Sequence, residues 1–127
     1  MEFDRLNHKV FEYYSRLGRL REYVDTNYSE RITLETAAQV ALLESTYFSS
    51  YFKKRVGISF SEWLRQVRVT KAIALMRDTD FSITRIAFDV GFDGLRTFER
   101  AFKKHTGRTP VKFREAFSCD QGRDSAA

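Results

Sequence analysis

The chain has 127 residues and a net charge of +5, and 43% of its residues are apolar, which suits one folded domain and argues against disorder. One proline and six glycines are too few for the turns of a many-stranded sandwich or barrel, so we expect an all-α fold. The longest apolar run, residues 72–76, is far shorter than the roughly 20 residues that cross a bilayer. The charged N-terminus lacks a signal-peptide segment, so we expect a cytoplasmic location and no membrane contact.

Residue types that carry chemistry are scarce. A single cysteine, Cys119, and two histidines in unrelated segments, His8 and His105, exclude an internal disulfide and a zinc cluster. The chain shows neither a phosphate-cradling glycine loop nor a nucleophile–base–acid set. We therefore expect no enzyme activity, no catalytic residue, no metal and no cofactor.

The positive charge is concentrated in one part of the chain. Residues 31–118 carry sixteen Lys and Arg against nine Asp and Glu, whereas the two ends are slightly acidic. A polyanionic partner is expected to bind this part, and the alternative is a solvated basic surface without a partner.

The first predicted element is an N-terminal helical extension, residues 1–16, that continues into the next helix. Its apolar residues are spaced four and three apart, in a short heptad-like stripe of Leu6, Val10, Tyr13, Leu17, Leu20 and Val24. One hypothesis is a weak homodimer through this helix. The alternatives are that the stripe folds back on its own domain or is the remnant of a linker. Gly18 is expected to weaken the helix by about 1 kcal/mol.

Residues 17–58 form the first predicted unit, which contains two helices joined by a tight turn. Thr33 is expected to cap a helix through about Ala41, and a second helix follows the turn at residues 42–44. This second helix is predicted from about Ser45 to Val56. Gly57 is expected to end it in the left-handed conformation.

A connector helix is predicted at residues 59–78. Ser59 and Glu62 form a capping box at its start. The nineteen residues from Ser59 to about Arg77 give a rod of about 28 Å, close to the spacing of about 34 Å between major-groove segments on one face of DNA. Leu64 is expected to face one unit, whereas Trp63 and Met76 are expected to face the other.

Residues 79–118 repeat the first unit, and residues 119–127 form a flexible tail. Ser82 is expected to cap the first helix, and Thr109 a last helix with Pro110 in its first turn. Five residues recur fifty positions later: Phe48, Phe52, Lys53, Lys54 and Gly57 match Phe98, Phe102, Lys103, Lys104 and Gly107. Ala38 matches Ala87 at an offset of forty-nine, so one residue is added near Asp93–Gly94.

Each copy has the pattern of a helix-turn-helix, in which an alanine-rich first helix lets the second approach closely. The fold expected is therefore all-α, with seven to eight helices in two helix-turn-helix subdomains joined by the long connector helix. The outward face of each second helix is polar and partly basic.

The stretch IAFDVGFDGLRTFERAFKKHTGRTPVKFR, residues 86–114, resembles the C-terminal signature of the AraC/XylS family of bacterial transcription regulators. The resemblance extends over residues 20–117. It implies seven helices and two recognition helices in consecutive major-groove segments of one asymmetric site. By this match the base-contacting candidates are Thr46, Ser49 and Ser50 in the first unit and Arg96, Glu99 and Arg100 in the second.

The chain departs from the family pattern at both recognition helices. Glu44 stands where a capping serine is common, so the capping role is expected to pass to Ser45. Small hydroxyl residues replace a common arginine in the first unit, which predicts weaker or water-mediated readout. The second recognition helix starts with Leu95 and Arg96 in place of small polar residues.

General chemistry assigns roles to these side chains. Arg96 and Arg100 can each donate two hydrogen bonds to guanine, which makes them the strongest candidates for direct readout. Glu99 can accept from a cytosine amino group or pair with one of these arginines. Lys53, Lys54, Lys103 and Lys104 are the candidates for phosphate contacts, which position the protein without reading sequence. Tyr47 is expected in the core, and the alternative is a contact with a thymine methyl.

The function expected is sequence-specific binding of double-stranded DNA by a transcription regulator, an activator by family habit, with RNA polymerase as the protein partner. The rival hypothesis is an adaptor that keeps the fold but docks another protein without reading DNA. About 20–30 residues precede the first helix-turn-helix pair, which we expect to be too few for an effector-binding domain. The protein is thus either controlled by its abundance or the C-terminal piece of a longer regulator.

Overall fold

The computed structural model describes residues 10–117, and within them the chain forms helices and no strands. The helices are α1 (Val10–Tyr13), α2 (Ser15–Asn27), α3 (Leu34–Val40), α4 (Ser45–Val56), α5 (Phe60–Asp78), α6 (Ile83–Asp89) and α7 (Leu95–Thr106). A further helical run covers residues 110–117. The predicted all-α fold with seven to eight helices is confirmed. The proposed tail at residues 119–127 lies outside the described residues.

The chain divides into two compact units between Val67 and Arg68, inside α5. The first unit holds α1 to α4 and the start of α5. The second holds the rest of α5, then α6, α7 and the helical run 110–117. The finer boundaries expected from the sequence, at residues 17–58, 59–78 and 79–118, stay predictions.

Aromatic rings fill the core of the first unit. Phe52 meets Phe60 edge to face, with ring centroids 5.6 Å apart, and lies 5.6 Å from Trp63. Ala37 and Ala38 on α3 are fully buried, and their small side chains allow α3 and α4 to pack closely. Trp63 and Leu64 both belong to the core of the first unit, so the expectation that they face different units is wrong.

The N-terminal segment folds back on the first unit. Helix α1 ends at Tyr13 because Tyr14 is extended, with φ −100° and ψ 115°, and α2 starts at Ser15. Phe11 stacks on Trp63 at 5.2 Å between ring centroids. The prediction of one continuous helix is therefore wrong. Four members of its stripe are buried in this core: Val10, Leu17, Leu20 and Val24. Leu6 lies outside the described residues.

Gly18 has a packing role that its helix propensity does not suggest. A Cβ atom at this position would lie 2.9 Å from the Phe11 carbonyl oxygen, closer than a real side chain tolerates. The absence of a side chain at Gly18 lets the α1 backbone rest against α2 and brings Phe11 into the core.

The predicted helix caps are confirmed by hydrogen bonds. The Thr33 and Ser82 hydroxyls each accept from a backbone N–H three residues later, at 3.1 Å. Ser59 does the same for Glu62 at 3.2 Å, and Thr109 for Lys112 at 3.3 Å. Helices α4 and α7 both end at a left-handed glycine: Gly57 and Gly107.

The second unit has a smaller aromatic core of the same kind. Phe98 and Phe102 are fully buried on α7, and Phe98 meets Phe92 at 5.2 Å. Phe102 meets Phe113 at the same centroid distance, which packs the run 110–117 against α7. Arg114 donates to the Phe81 carbonyl oxygen at 2.5 Å and so ties this run to the segment before α6.

Ion pairs support the connector helix at both ends. Arg65 donates to the Glu62 carboxylate at 2.8 Å in the first turns of α5. At the other end, the hydrogen bond from Arg77 to Asp78, 3.0 Å long, lowers the pKa of the Asp78 carboxyl below its usual value.

Candidate nucleic-acid interface

Both second helices of the repeat begin without a side-chain cap. The N-cap residues are Glu44 for α4, whose side chain does not bond the helix start, and Gly94 for α7, which has no side chain. Ser45 is the first helical residue, so the expected transfer of the capping role to Ser45 is wrong. The first N–H groups of both helices, at the positive end of the helix dipole, therefore have no side-chain cap from the N-cap residue.

Helix α4 exposes its three predicted base-contacting residues on one side. Thr46, Ser49 and Ser50 are exposed, whereas the opposite side buries Phe48 and Phe52. The Ser50 hydroxyl donates to the Tyr47 carbonyl oxygen at 3.1 Å. Its oxygen remains able to accept a hydrogen bond, so Ser50 is better suited to accept from a base than to donate to one.

Tyr47 lies outside the core. Its side chain is 53% exposed, and its ring centroid lies 5.8 Å from that of Tyr51, which is buried. The expectation of a core position is wrong, because positions 47 and 51 are neighbours along the helix and only Tyr51 reaches the interior. The exposed ring adds an apolar surface to the outward side of α4.

Helix α7 presents the most basic outward side of the repeat. Arg96 and Arg100 are exposed, and Glu99 is partly exposed between them. Phe98, Ala101 and Phe102 are buried on the other side. Among residues 10–117 Glu99 forms no ion pair with Arg96 or Arg100, so the arrangement in which Glu99 orients an arginine is not present in the structure.

The four predicted phosphate-contacting lysines are exposed near the ends of their helices. Lys53 and Lys54 lie in the last turn of α4, and Lys103 and Lys104 in the last turn of α7. Positive charge at this end is favourable for the helix dipole, so the lysines also stabilise the helices that carry them.

Arg55 differs from its lysine neighbours. Its guanidinium lies 4.0 Å from the centre of the Tyr51 ring and 5.2 Å from that of Tyr14. These contacts hold Arg55 against the first unit by cation–π attraction. The charge of Arg55 therefore serves the packing of α4 more than the outward surface.

Neither a metal site nor a membrane-spanning helix is found in the part of the chain that the structure describes. Residues 10–117 contain no group of three or more His, Cys, Asp or Glu that could hold a metal ion. The helices among them are all too short or too polar to cross a membrane.

Comparisons with known proteins find the same domain in transcription regulators. A family model described as a helix-turn-helix domain matches residues 37–116. The bifunctional transcriptional activator/DNA repair enzyme AdaA of Bacillus subtilis is 38% identical over 96 residues, which cover 76% of this chain and 46% of AdaA. PqrA of Proteus vulgaris, a probable transcription factor by its name, is 36% identical over 87 residues, which cover 68% of this chain and 71% of PqrA.

A solved structure shares the fold. The DNA-binding domain of AdpA, a global transcriptional factor crystallised with a target DNA, matches with a TM-score of 0.78 and 23% identity. The match covers 84% of this chain and 96% of that domain. The chain spans 46%, 35% and 33% of the first three curated relatives that it matches, so it corresponds to one domain of those proteins.

Proposed function

Since the chain belongs to the AraC/XylS family of transcription regulators, we propose that it binds one asymmetric DNA site with α4 and α7 in adjacent major-groove segments. The observation that carries this proposal is the matched pair of outward faces. Each of the two helices buries two phenylalanines at equivalent positions and exposes polar side chains on the other side. The duplication of a face together with its supporting core argues for two equivalent contacts on one ligand.

Within this proposal the two helices contribute unequally to specificity. Arg96 and Arg100 each present a planar donor pair that matches guanine O6 and N7, and Glu99 can accept from a cytosine amino group. Thr46, Ser49 and Ser50 offer short hydroxyls, which reach bases closely or through water. Lys53, Lys54, Lys103 and Lys104 contact phosphates and add affinity for any sequence.

The partners follow from the same proposal. We expect activation of transcription with RNA polymerase as the protein partner, in the cytoplasm, where bacterial DNA lies. A homodimer through the N-terminal helix has less support, because Val10, Leu17 and Leu20 are buried within their own unit. We therefore infer that one chain binds one site.

Selection from a random duplex library tests the proposed function. Several rounds of binding and amplification should return one asymmetric sequence that covers two successive major-groove segments, about 20 base pairs in total. Competition with unrelated DNA at increasing salt should leave the selected site bound after the competitor is released. Binding that shows no sequence preference at any salt concentration would favour the adaptor hypothesis.

A further inference from the structure

We propose that an open cleft at the end of α7 binds a backbone phosphate of the same DNA site, through Lys103, Arg108 and Lys112. The cleft has a volume of about 450 Å³, and five of the described residues line it: Lys103, Gly107, Arg108, Thr109 and Lys112. The inference rests on the proposed function and adds two residues, Arg108 and Lys112, to the DNA-binding surface.

The lining of the cleft favours an anion. Three of the five described residues that line the cleft are cationic, and none of these five carries a carboxylate. Within residues 10–117 the side chains of Lys103, Arg108 and Lys112 form no ion pair. All three are exposed, so a ligand can reach them. Three like charges around one cleft repel one another, and a bound oxyanion relieves that repulsion.

The cleft is proposed to bind through side chains because three of its backbone amides are already engaged. The Gly107 N–H donates to the Lys103 carbonyl oxygen at 2.8 Å, and the Lys112 N–H to the Thr109 hydroxyl at 3.3 Å. The Arg108 N–H donates to the Thr106 hydroxyl at 3.2 Å. Binding by the three cationic side chains makes the interaction strongly dependent on salt and independent of base sequence.

The position of the cleft on α7 identifies DNA as the source of the phosphate. Arg96, Arg100 and Lys103 are spaced four and three residues apart, so they lie on one face of the helix. The rise from Arg96 to Lys103 is about 10 Å, close to the major-groove width of about 12 Å. With Arg96 and Arg100 at the bases, Lys103 and the cleft reach the phosphates that border the groove.

The first unit provides an internal comparison, because it keeps a lysine, Lys53, at the position of Lys103 but lacks the other two charges. Ile58 stands where Arg108 stands in the second unit, and it packs against the first core. Glu62 stands where Lys112 stands, and its carboxylate accepts a hydrogen bond from Arg65 at 2.8 Å. The cationic cleft is therefore specific to the second unit and would anchor that half of the complex more firmly.

The test measures the salt dependence of DNA binding by the full chain. The double variant Arg108→Gln, Lys112→Gln should lower the slope of log affinity against log salt by about two units, equally for the selected site and for unrelated DNA. The ratio of parent affinity to variant affinity should therefore fall about tenfold when the salt concentration rises from 50 to 200 mM. Arg108→Lys with Lys112→Arg keeps both charges and should keep the slope.

A charge-matched control separates a local contact from a general effect of net charge. Arg16 and Arg19 are exposed on α2, and Arg16→Gln with Arg19→Gln removes the same two charges. This control should leave the slope nearly unchanged, and circular dichroism melting should show that all variants fold. A slope equally reduced in the control and in the cleft variant would overturn the inference.

Two further results would contradict the inference while the proposed function stands. One is an unchanged slope for the cleft variant with specific binding intact. The other is saturable binding of inorganic phosphate alone to the Gly107 and Thr109 amides, seen by NMR, with an unchanged DNA slope. The first result would show that no DNA phosphate binds in the cleft. The second would show that the cleft binds a free oxyanion instead of DNA. If the parent chain shows no sequence preference, the proposed function fails, and the inference fails with it.

Discussion

Leu42 and Gly91 occupy the same position in the turns of the two helix-turn-helix units, and both have a positive φ, 58° and 103° respectively. Their N–H groups donate to Gln39 and Phe88 at 3.1 Å, and the residues that follow them donate to Ala38 and Ala87. Equivalent residues of the two copies are forty-nine positions apart in these turns, whereas the first residues of α4 and α7 are fifty positions apart. The added residue of the second copy is therefore Asp93, within the predicted turn around Asp93–Gly94.

The two turns predict stability changes of opposite sign. A left-handed conformation is unfavourable for leucine, whereas glycine adopts it without a steric penalty. Because the Leu42 side chain is 59% exposed, its removal exposes little buried apolar surface. Leu42→Gly should therefore raise the free energy of unfolding by about 1 kcal/mol, and Gly91→Ala should lower it by a similar amount. Urea unfolding measures both.

Leu42→Ala separates backbone strain from the lost side chain, because alanine keeps the left-handed penalty. It should not reproduce the gain of Leu42→Gly. A loss of stability in Leu42→Gly, as large as in Leu42→Ala, would show that the leucine side chain stabilises the turn more than its backbone conformation strains it.

Gly18→Ala tests the docking of the N-terminal segment. In an undocked helix this change would stabilise by about 1 kcal/mol through helix propensity. Because the new Cβ would lie 2.9 Å from the Phe11 carbonyl oxygen, we expect a net destabilisation instead. The single tryptophan reports on the contact, since Phe11 stacks on Trp63, and its fluorescence should shift toward that of a solvent-exposed indole. A more stable Gly18→Ala variant with unchanged fluorescence would refute the docked arrangement.

The buried stripe predicts that the chain is a monomer. Val10, Leu17, Leu20 and Val24 have at most 6% of their surface exposed, so they have little area left for a second chain. Sedimentation at high micromolar concentration should give the monomer mass for the intact chain and for a chain that begins at Ser15. A dimer mass for the intact chain, with a monomer mass for the shortened chain, would instead support self-association through the N-terminal segment.

Specificity should depend mainly on the second recognition helix. Arg96→Ala or Arg100→Ala should cost about 1–3 kcal/mol on the selected site and relax base preference where the arginine binds. Ser50→Ala should cost less, because the hydroxyl already donates to the Tyr47 carbonyl oxygen. Lys103→Ala is the control, because it should lower the binding affinity equally for all DNA sequences. Electrophoretic mobility shifts on single-base variants of the site measure all four changes, and a larger loss for Ser50→Ala than for either arginine change would reverse the ranking.

The sequence predicted the repeat and its helix ends well, because these features depend on neighbouring residues. Thr33 and Ser82 cap helices through backbone atoms three residues away, and Gly57 and Gly107 end them through local conformation. Such signals are visible in a short stretch of sequence.

The errors concern contacts between residues far apart in the chain. The break at Tyr14 follows from the packing of Phe11 on Trp63, fifty-two residues away, which overrides the helical spacing of the stripe. Tyr47 and Tyr51 share one helix face, and only the surrounding core decides which ring is buried. The cleft at Lys103 depends on the turn that brings Arg108 and Lys112 together, and periodicity carries no signal of it.

Hydroxyl-radical footprinting of the chain on its selected DNA site tests most directly whether both units engage one duplex. Two recognition helices in successive major-groove segments should protect two stretches of backbone, about 10 base pairs apart on one face of the helix. Arg96→Ala with Arg100→Ala should weaken the protection at the stretch bound by the second unit before the other. A single protected stretch of about one helical turn, unchanged in position by these substitutions, would contradict the binding of one duplex by both units.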